Sequence, residues 1–335
     1  MRPKERFYNR LEGKEVDKIP NLNIVMLFAA RYCNIPYGKF CKDYRYLVEA
    51  QTKTAIDFGI DILSTMSDPF RELYDYGVPL TFPEDNLPIC KVKFLEGPED
   101  LKKLKYWEPE NSTRILDRIH AIELFHKDLG HEYPVLGWVE GALAEFGDLA
   151  NVQDMLLHLC VEPEFAREAL EIITEQQINC AKAQIQAGAD VIGVGDACAS
   201  LISREMYREF ALPYEQKLIQ AIHEQGAVVK LHICGNITHL LEEIPNTGAD
   251  IIDIDSMVDL GKSVSILGEH YSVSGNMNPT VDFLQGDVES ISRNVEECIR
   301  IIGPKGFISA GCEIPKMTPY ENLKAVDQVL STYKA

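Results

Sequence analysis

The chain has no apolar run approaching the ~18 residues that read as a membrane span. Its N-terminus, MRPKERFYNRLEGKEVDKIP, carries charges with no apolar stretch behind them. Neither a spanning helix nor a secretion signal is expected, and the sequence reads as cytoplasmic. Cations are scarce too: 33 Lys and Arg stand against 52 Asp and Glu, a formal charge of −19. Such a chain repels polyanions, so nucleic acid and anionic membrane are poor partners. The nine cysteines, at 33, 41, 90, 160, 180, 198, 234, 298 and 312, form no close-spaced framework. In a reducing compartment most are expected as free, buried small side chains. A cysteine beside a histidine then reads as ligand or nucleophile before it reads as disulfide. Low-complexity linkers, internal repeats beyond a strand–helix period and a second domain are all missing.

What is present is an ordinary globular composition, 46 % hydrophobic over 335 residues, ample for a large core. Eight β-rich runs recur, at 19–27, 61–66, 133–140, 190–196, 227–234, 250–255, 271–277 and 306–312, with helix-length amphipathic segments between them. Strands alternating with helices predict right-handed parallel βαβ units, and eight such units predict an α/β fold of the (β/α)8 TIM-barrel type. The expectation is one domain over residues 1–335, with an N-terminal extension and an excursion after the second strand. Between residues 67 and 132 the period loosens, and LTFPEDNLPICKVKFLEGPEDL reads as part of that excursion with a β-hairpin. Helix ends are legible as well. Pro163 opens a long helix that Gly188 stops, and TPYE predicts Thr318 as the cap of the last helix with Glu321 completing a capping box.

Strand alternation locates the chemistry. In AVVKLHIC, Val229, Leu231 and Ile233 share one face, while Val228, Lys230, His232 and Cys234 share the other. The apolar set suits the helix layer, so the polar set faces the barrel axis. Gly235 and Asn236 end the strand and place His232 and Cys234 at its C-terminal rim, where barrel enzymes carry their active sites. By the same test Asp253 and Asp255 face inward, as do Ser272, Ser274 and Asn276. Buried polar groups are costly unless they bind something or one another. Cys312, at the end of GFISAGC, supplies a third soft donor at the same rim. A His-x-Cys pair with a distant Cys fits zinc, which favours imidazole and thiolate and leaves a position open in catalytic sites. Each residue taken singly also has a plain reading, as a buried thiol or a hydrogen-bonded core histidine. Asp196 and Glu140 end their strands and read as pocket acids, as a fourth ligand or as solvated rim carboxylates. GVGDAC lacks the third glycine of a dinucleotide loop. His223, His239 and His270 lie in helix or loop contexts and read as bystanders.

LHICGN, GCEIPKMTPYENLKAV, GADVIGVGDACASLISREMYREFALPY and GWVEGALAEFGDLA, with the opening ERFYNRLEGKEVDKIP, resemble the uroporphyrinogen decarboxylase superfamily. Within it they are most similar to the zinc-dependent corrinoid methyltransferases. The resemblance implies His232, Cys234 and Cys312 as zinc ligands and a separate corrinoid-binding protein that docks on the barrel mouth. It implies methyl transfer through cobalt in either of two half-reactions, from a methyl ether or methanol to cobalt, or from methyl-cobalt to a thiol of the coenzyme M type. The decarboxylase branch fits less well. Asp68 matches its aspartate, but its arginine-rich N-terminal motif has no counterpart in IVMLFAARYCNIPYG, where Arg31 stands alone, and decarboxylation needs no zinc. Because Asp196, Asp253 and Asp255 outnumber the cations that can be placed on the rim, the expectation is a neutral O-methyl donor, with Asp196, Asp255 or Glu140 as the acid that protonates the departing oxygen. A zinc-binding barrel that only scaffolds a corrinoid protein is the non-enzymatic alternative.

Overall fold

The computed structural model describes residues 1–268 and 271–333. Strands are β1 Leu63–Ser64, β2 Leu80–Thr81, β3 Ile89–Cys90, β4 Val135–Glu140, β5 Val191–Gly195, β6 Val228–Ile233, β7 Ile251–Ile254, β8 Ser272–Met277 and β9 Phe307–Ala310. Seven form one parallel sheet in the order β1-β4-β5-β6-β7-β8-β9. Between successive strands of the sheet the chain returns through α-helices, except between β6 and β7, where a short 3-10 turn at Ile244–Thr247 serves, which makes this an α/β fold. β2 and β3 pair antiparallel and form the expected hairpin of the excursion.

The first β-rich run does not become a strand. Around Asn21 the chain makes a single parallel bridge to Ile308, with Leu22 N donating to Ile308 O at 2.8 Å and Ile308 N to Pro20 O at 3.1 Å. On its other side Asn21 accepts from Asp61 N at 2.8 Å, just ahead of β1. The sheet therefore curls until both edges meet this segment. Pro20 has no N–H for a ladder, and side chains take over the pairing. Asp61 Oδ2 accepts the Asn21 amide at 2.8 Å, and Asn23 Oδ1 accepts the Ala310 amide at 2.7 Å.

The alternation in β6 is realised. Val229, Leu231 and Ile233 are at most 2 % exposed, in the apolar core, each worth about 1.5–3 kcal/mol of burial. The helix Leu212–His223 packs over β6 and the helix Pro163–Gln186 over β4 and β5, the latter with Pro163 in its first turn and Gly188 at φ +111° just past its end. At the last helix, Tyr320–Thr332, the expected cap is not made. Pro319 is the N-cap in an extended conformation, ψ 136°, so Thr318 sits a residue too early, and its buried hydroxyl has no partner.

Candidate metal centre at the end of the sheet

His232 is on the last turn of β6, Cys234 follows it by two residues, and Cys312 lies two residues past β9. Local backbone brings them together. Gly235 holds φ +91°, a left-handed conformation that suits glycine, and its N–H donates to Asp255 Oδ2 at 2.9 Å. Gly311, just before Cys312, lies so close to the Ser256 backbone that a Cβ there would collide with it. The result is a cluster whose three donor atoms all lie within 4.8 Å of one another. His232 Nε2 is 2.8 Å from Cys234 Sγ, and the two sulfurs are 3.5 Å apart. His232 is buried while both cysteines are partly exposed.

Behind the cluster the inward polar ladder is paired. Asp253 Oδ2 lies 2.9 Å from His232 Nδ1 and 2.5 Å from Lys230 Nζ. Ser309 Oγ donates to Asp253 Oδ1 at 3.3 Å and lies 2.9 Å from Ser274 Oγ. A carboxylate on Nδ1 fixes the imidazole with Nε2 toward the sulfurs, an arrangement common behind metal-bound histidines. Burial would push the His232 pKa down, but Asp253 and Cys312 outweigh it and raise it to about 10. The Cys234 hydrogen bond lowers Cys312 to about 4 against the opposing effect of burial, with His232 helping. Cys234 is pushed the other way, chiefly by the bond it makes to Cys312 and then by burial. These shifts favour an imidazolium beside two sulfurs that share one proton. One imidazole and two sulfurs, with the imidazole already oriented, is a donor set that fits zinc.

Of the three candidate acids, Asp196 and Asp255 go elsewhere and Glu140 lies two strands from His232. Asp196 Oδ1 accepts the Ala144 amide at 2.8 Å, in the first turn of the helix Ala142–Ala150. Burial and then Glu215 raise its pKa well above the usual carboxylate range. Only its backbone touches the cluster, N–H to His232 O at 3.0 Å. Asp255 braces the loops, accepting from Gly235 and, at 2.9 Å, from Met257 N. Glu140 pairs with Gly195 across β4 and β5, and Gly195 pairs with His232 across β5 and β6. A Cβ on Gly195 would lie 2.9 Å from Glu140 Oε2 and 3.0 Å from the Trp138 ring, so glycine there leaves room for both. Asn276 also leaves the ladder, donating to the carbonyls of Asp255 and Val258. His223 contacts Asp250 and His239 the Ile202 carbonyl; His270 lies outside the described residues.

Sequence reasoning missed a second buried cluster, around Glu140. Arg71 Nη2 donates to Glu140 Oε1 at 2.8 Å, and Arg114 Nη2 to Asp68 Oδ2 at 2.6 Å. All four side chains are essentially excluded from solvent. Burial pushes Glu140 up to about 8 despite Arg71, whereas at Asp68 the arginines win against burial and hold it near 2. Glu72 and Glu145 are buried with carboxyl oxygens that make no hydrogen bond, Glu72 lying 3.6 Å from Arg71 Nη2, and burial raises both pKa values. Glu313, beside Cys312, was missed as well; it accepts the Leu27 amide at 2.8 Å and ties the donor loop to the N-terminal segment.

Comparison with known proteins places this geometry. The Uroporphyrinogen decarboxylase (URO-D) family model matches residues 2–333. The methylcobamide:CoM methyltransferase MtbA of Methanosarcina mazei is 28 % identical over 99 % of this chain and 98 % of its own length. A uroporphyrinogen decarboxylase of Carboxydothermus hydrogenoformans is 26 % identical over 87 % of this chain and 84 % of its own. A solved methyltransferase from Methanosarcina mazei superposes with a TM-score of 0.91 over the whole of both chains at 22 % identity, which shows a shared fold. The chain belongs to the uroporphyrinogen decarboxylase family, on the side of its corrinoid methyltransferases.

Proposed function

We propose that this chain is a zinc-dependent methyltransferase that moves a methyl group from a methylcobamide to a thiol of the coenzyme M type, with the cobamide delivered by a corrinoid-binding protein. The observation that carries the reading is the convergence of His232, Cys234 and Cys312 in a chain that aligns end to end with methylcobamide:CoM methyltransferases. The fold reading that goes with it is a closed (β/α)8 TIM barrel over residues 1–335, the segment at Asn21 standing in for a strand. A cytoplasmic setting suits a site that needs both thiols reduced.

The expectation of an O-methyl donor rested on unpaired rim acids. Asp253 is matched by Lys230 and His232, Asp196 is turned into the helix layer, and Arg71 and Arg114 bring buried cations to the Glu140 side. The argument against an anionic thiol therefore loses its basis. A decarboxylase has no use for the three soft donors.

Bound at these donors, zinc would lower the pKa of a coordinating thiol and keep it as thiolate near neutral pH. The chain's own residues prepare for this. Asp253, 2.9 Å from His232 Nδ1, keeps the Nδ1 proton on the ring and leaves Nε2 facing the sulfurs. Cys312, its pKa lowered to about 4, would bind as a thiolate, and Cys234 would give up its proton on metal binding. Glu140, titrating at about 8, is matched to a thiol and is the group we assign to take the acceptor's proton; Asp196 and Asp255 position backbone. Zinc-loaded protein mixed with methylcobalamin and 2-mercaptoethanesulfonate should convert the methyl-cobalt spectrum to that of demethylated cobalamin. Absence of transfer to thiols, with methylation of Co(I) cobalamin by methanol or an aryl methyl ether instead, would reverse the assigned half-reaction.

A further inference from the structure

Glu140 adjoins a row of buried polar groups that find no partner in the protein. Arg71 Nη2, which donates to Glu140 Oε1 at 2.8 Å, also lies 3.6 Å from Glu72 Oε2, so one guanidinium nitrogen serves both carboxyls. The short helix Arg71–Asp75, which carries Glu72, packs on Ala142–Ala150, which carries Glu145. That helix packs in turn on Pro163–Gln186, which carries Gln177 and Cys180. Glu72, Glu145 and Gln177 are wholly buried, and none of their carboxyl or amide ends makes a hydrogen bond. The row continues to the surface. Tyr76, partly exposed, caps the short helix with its hydroxyl buried and unpartnered. Its ring meets that of the partly exposed Trp107 at 5.9 Å, and the Trp107 indole N–H is unpartnered too. Gln176 clamps the Trp107 backbone with both ends of its amide, at 3.0 and 3.2 Å, and its nitrogen lies 3.8 Å from Cys180 Sγ. These groups sense one another. Burial raises the Tyr76 hydroxyl with Glu145 next in weight, and it raises the Cys180 thiol with Glu72 next. So many unpartnered polar atoms at one place are costly unless internal water threads them.

We propose that this row is a proton exit, in which internal water among Glu72, Glu145, Gln177 and Tyr76 carries to the surface at Trp107 the proton that Glu140 takes from the acceptor thiol. The inference rests on the thiol-methylation reading above and adds the route by which Glu140 is reset. In that reaction a thiol and methyl-Co(III) give a thioether, Co(I) and one proton. The S–H electron pair stays on sulfur and forms the S–CH3 bond, the Co–C pair returns to cobalt, and the proton has to leave. A corrin that brings its methyl group to the sulfurs covers their open side, so a way out through the protein keeps turnover independent of the mouth. Neutral carboxyls suit the task, because each gives a proton to water from one oxygen and accepts another on the second. Burial raises both Glu72 and Glu145; the charged groups around them are Arg71 and Asp68 for the first, and Asp148, Glu140 and Arg71 as well as Glu72 for the second.

The test uses zinc-loaded full-length protein with methylcobalamin and 2-mercaptoethanesulfonate, comparing Glu72→Gln and Glu145→Gln with Glu140→Gln as the reference. At neutral pH the exit predicts that each of the first two lowers kcat by about tenfold or more, with KM for the thiol and zinc content held. Near about pH 10, where an alkyl thiol arrives already ionised, all three should regain the wild-type rate; a merely structural defect would not be mended by base. Slow, base-rescued turnover in Glu140→Gln beside wild-type kcat in Glu72→Gln and Glu145→Gln would overturn the exit and leave the function standing. No methyl transfer to the thiol by the wild type would remove the function and the exit with it. A readout without turnover follows the neutral-carboxyl infrared band of the metal-free protein, assigned by its loss in the two variants. On mixing with D2O the band should shift within seconds, and more slowly in Tyr76→Phe. A band that stays unshifted for minutes marks sealed carboxyls and would overturn the proposal.

Discussion

Two groups of ionisable side chains share one end of the sheet. The β6 and β9 side gathers an imidazole and two sulfurs that stay partly open to solvent. The β1 and β4 side gathers Asp68, Arg71, Arg114 and Glu140, closed off from water. On the first side three donors converge and the charged groups behind them are paired. On the second, cations are matched to oxygens by direct ion pairs while Glu72 and Glu145 keep carboxyls without hydrogen bonds whose pKa values burial raises. The difference separates a cluster of soft donors from a buried acid–arginine cluster that sets the protonation of Glu140. Charge alone does not make the distinction, since both sides are rich in acids.

The comparison breaks most sharply at Cys312. Cys312→Ser should lose methyl transfer by more than ~1,000-fold and most of its zinc, because an alcohol is a poor ligand at neutral pH, while circular dichroism stays that of the wild type. Acidity should sharpen it next. At neutral pH zinc uptake has to expel the His232 and Cys234 protons, since both pKa values are raised, whereas Cys312 has already lost its own. Apparent zinc affinity, followed by competition with a chelator, should therefore rise about 100-fold per pH unit between pH 6 and 8, the slope of two released protons. A pH-independent affinity would contradict the protonation pattern.

Across the mouth, Arg71→Met should cost about 3 kcal/mol or more in urea unfolding by leaving Glu140 without its cation, and zinc content should not change. Because the Glu140 pKa is raised above its unfolded value, the unpaired carboxyl protonates readily, so the penalty should shrink at pH 5.5 and grow toward pH 9. The smallest effect is expected at Asp196. Asp196→Asn keeps an oxygen for the Ala144 amide, so transfer should stay within about threefold of wild type and stability within about 1 kcal/mol; a large fall in kcat would return Asp196 to the chemistry.

Much of this was legible in sequence. Seven of the eight β-rich runs contain strands of the sheet because apolar alternation and Gly or Pro boundaries act locally. The run at residues 19–27 misled because Asn21, Asn23 and Asp61 pair through side chains, which a hydrophobic pattern does not report. His232 was legible because it lies inside β6 on the inward face, and Cys234 and Cys312, just past the ends of β6 and β9, were legible from their soft-donor chemistry beside that histidine. Asp196 and Asp255 fall one residue beyond β5 and β7, where alternation has stopped, so their directions were set by the Ala142–Ala150 helix and the Gly235 amide. Arg71 and Arg114 come from the excursion and the helix that follows it, far from their partners in sequence, and no periodicity announces such a meeting.

Zinc K-edge X-ray absorption on the purified protein, before and after adding 2-mercaptoethanesulfonate, tests the central claim most directly. The account predicts two sulfurs near ~2.3 Å and an imidazole nitrogen near ~2.0–2.1 Å, with a third sulfur appearing when the thiol is added. A shell of oxygen and nitrogen alone, or a sulfur count that the thiol leaves unchanged, would contradict it.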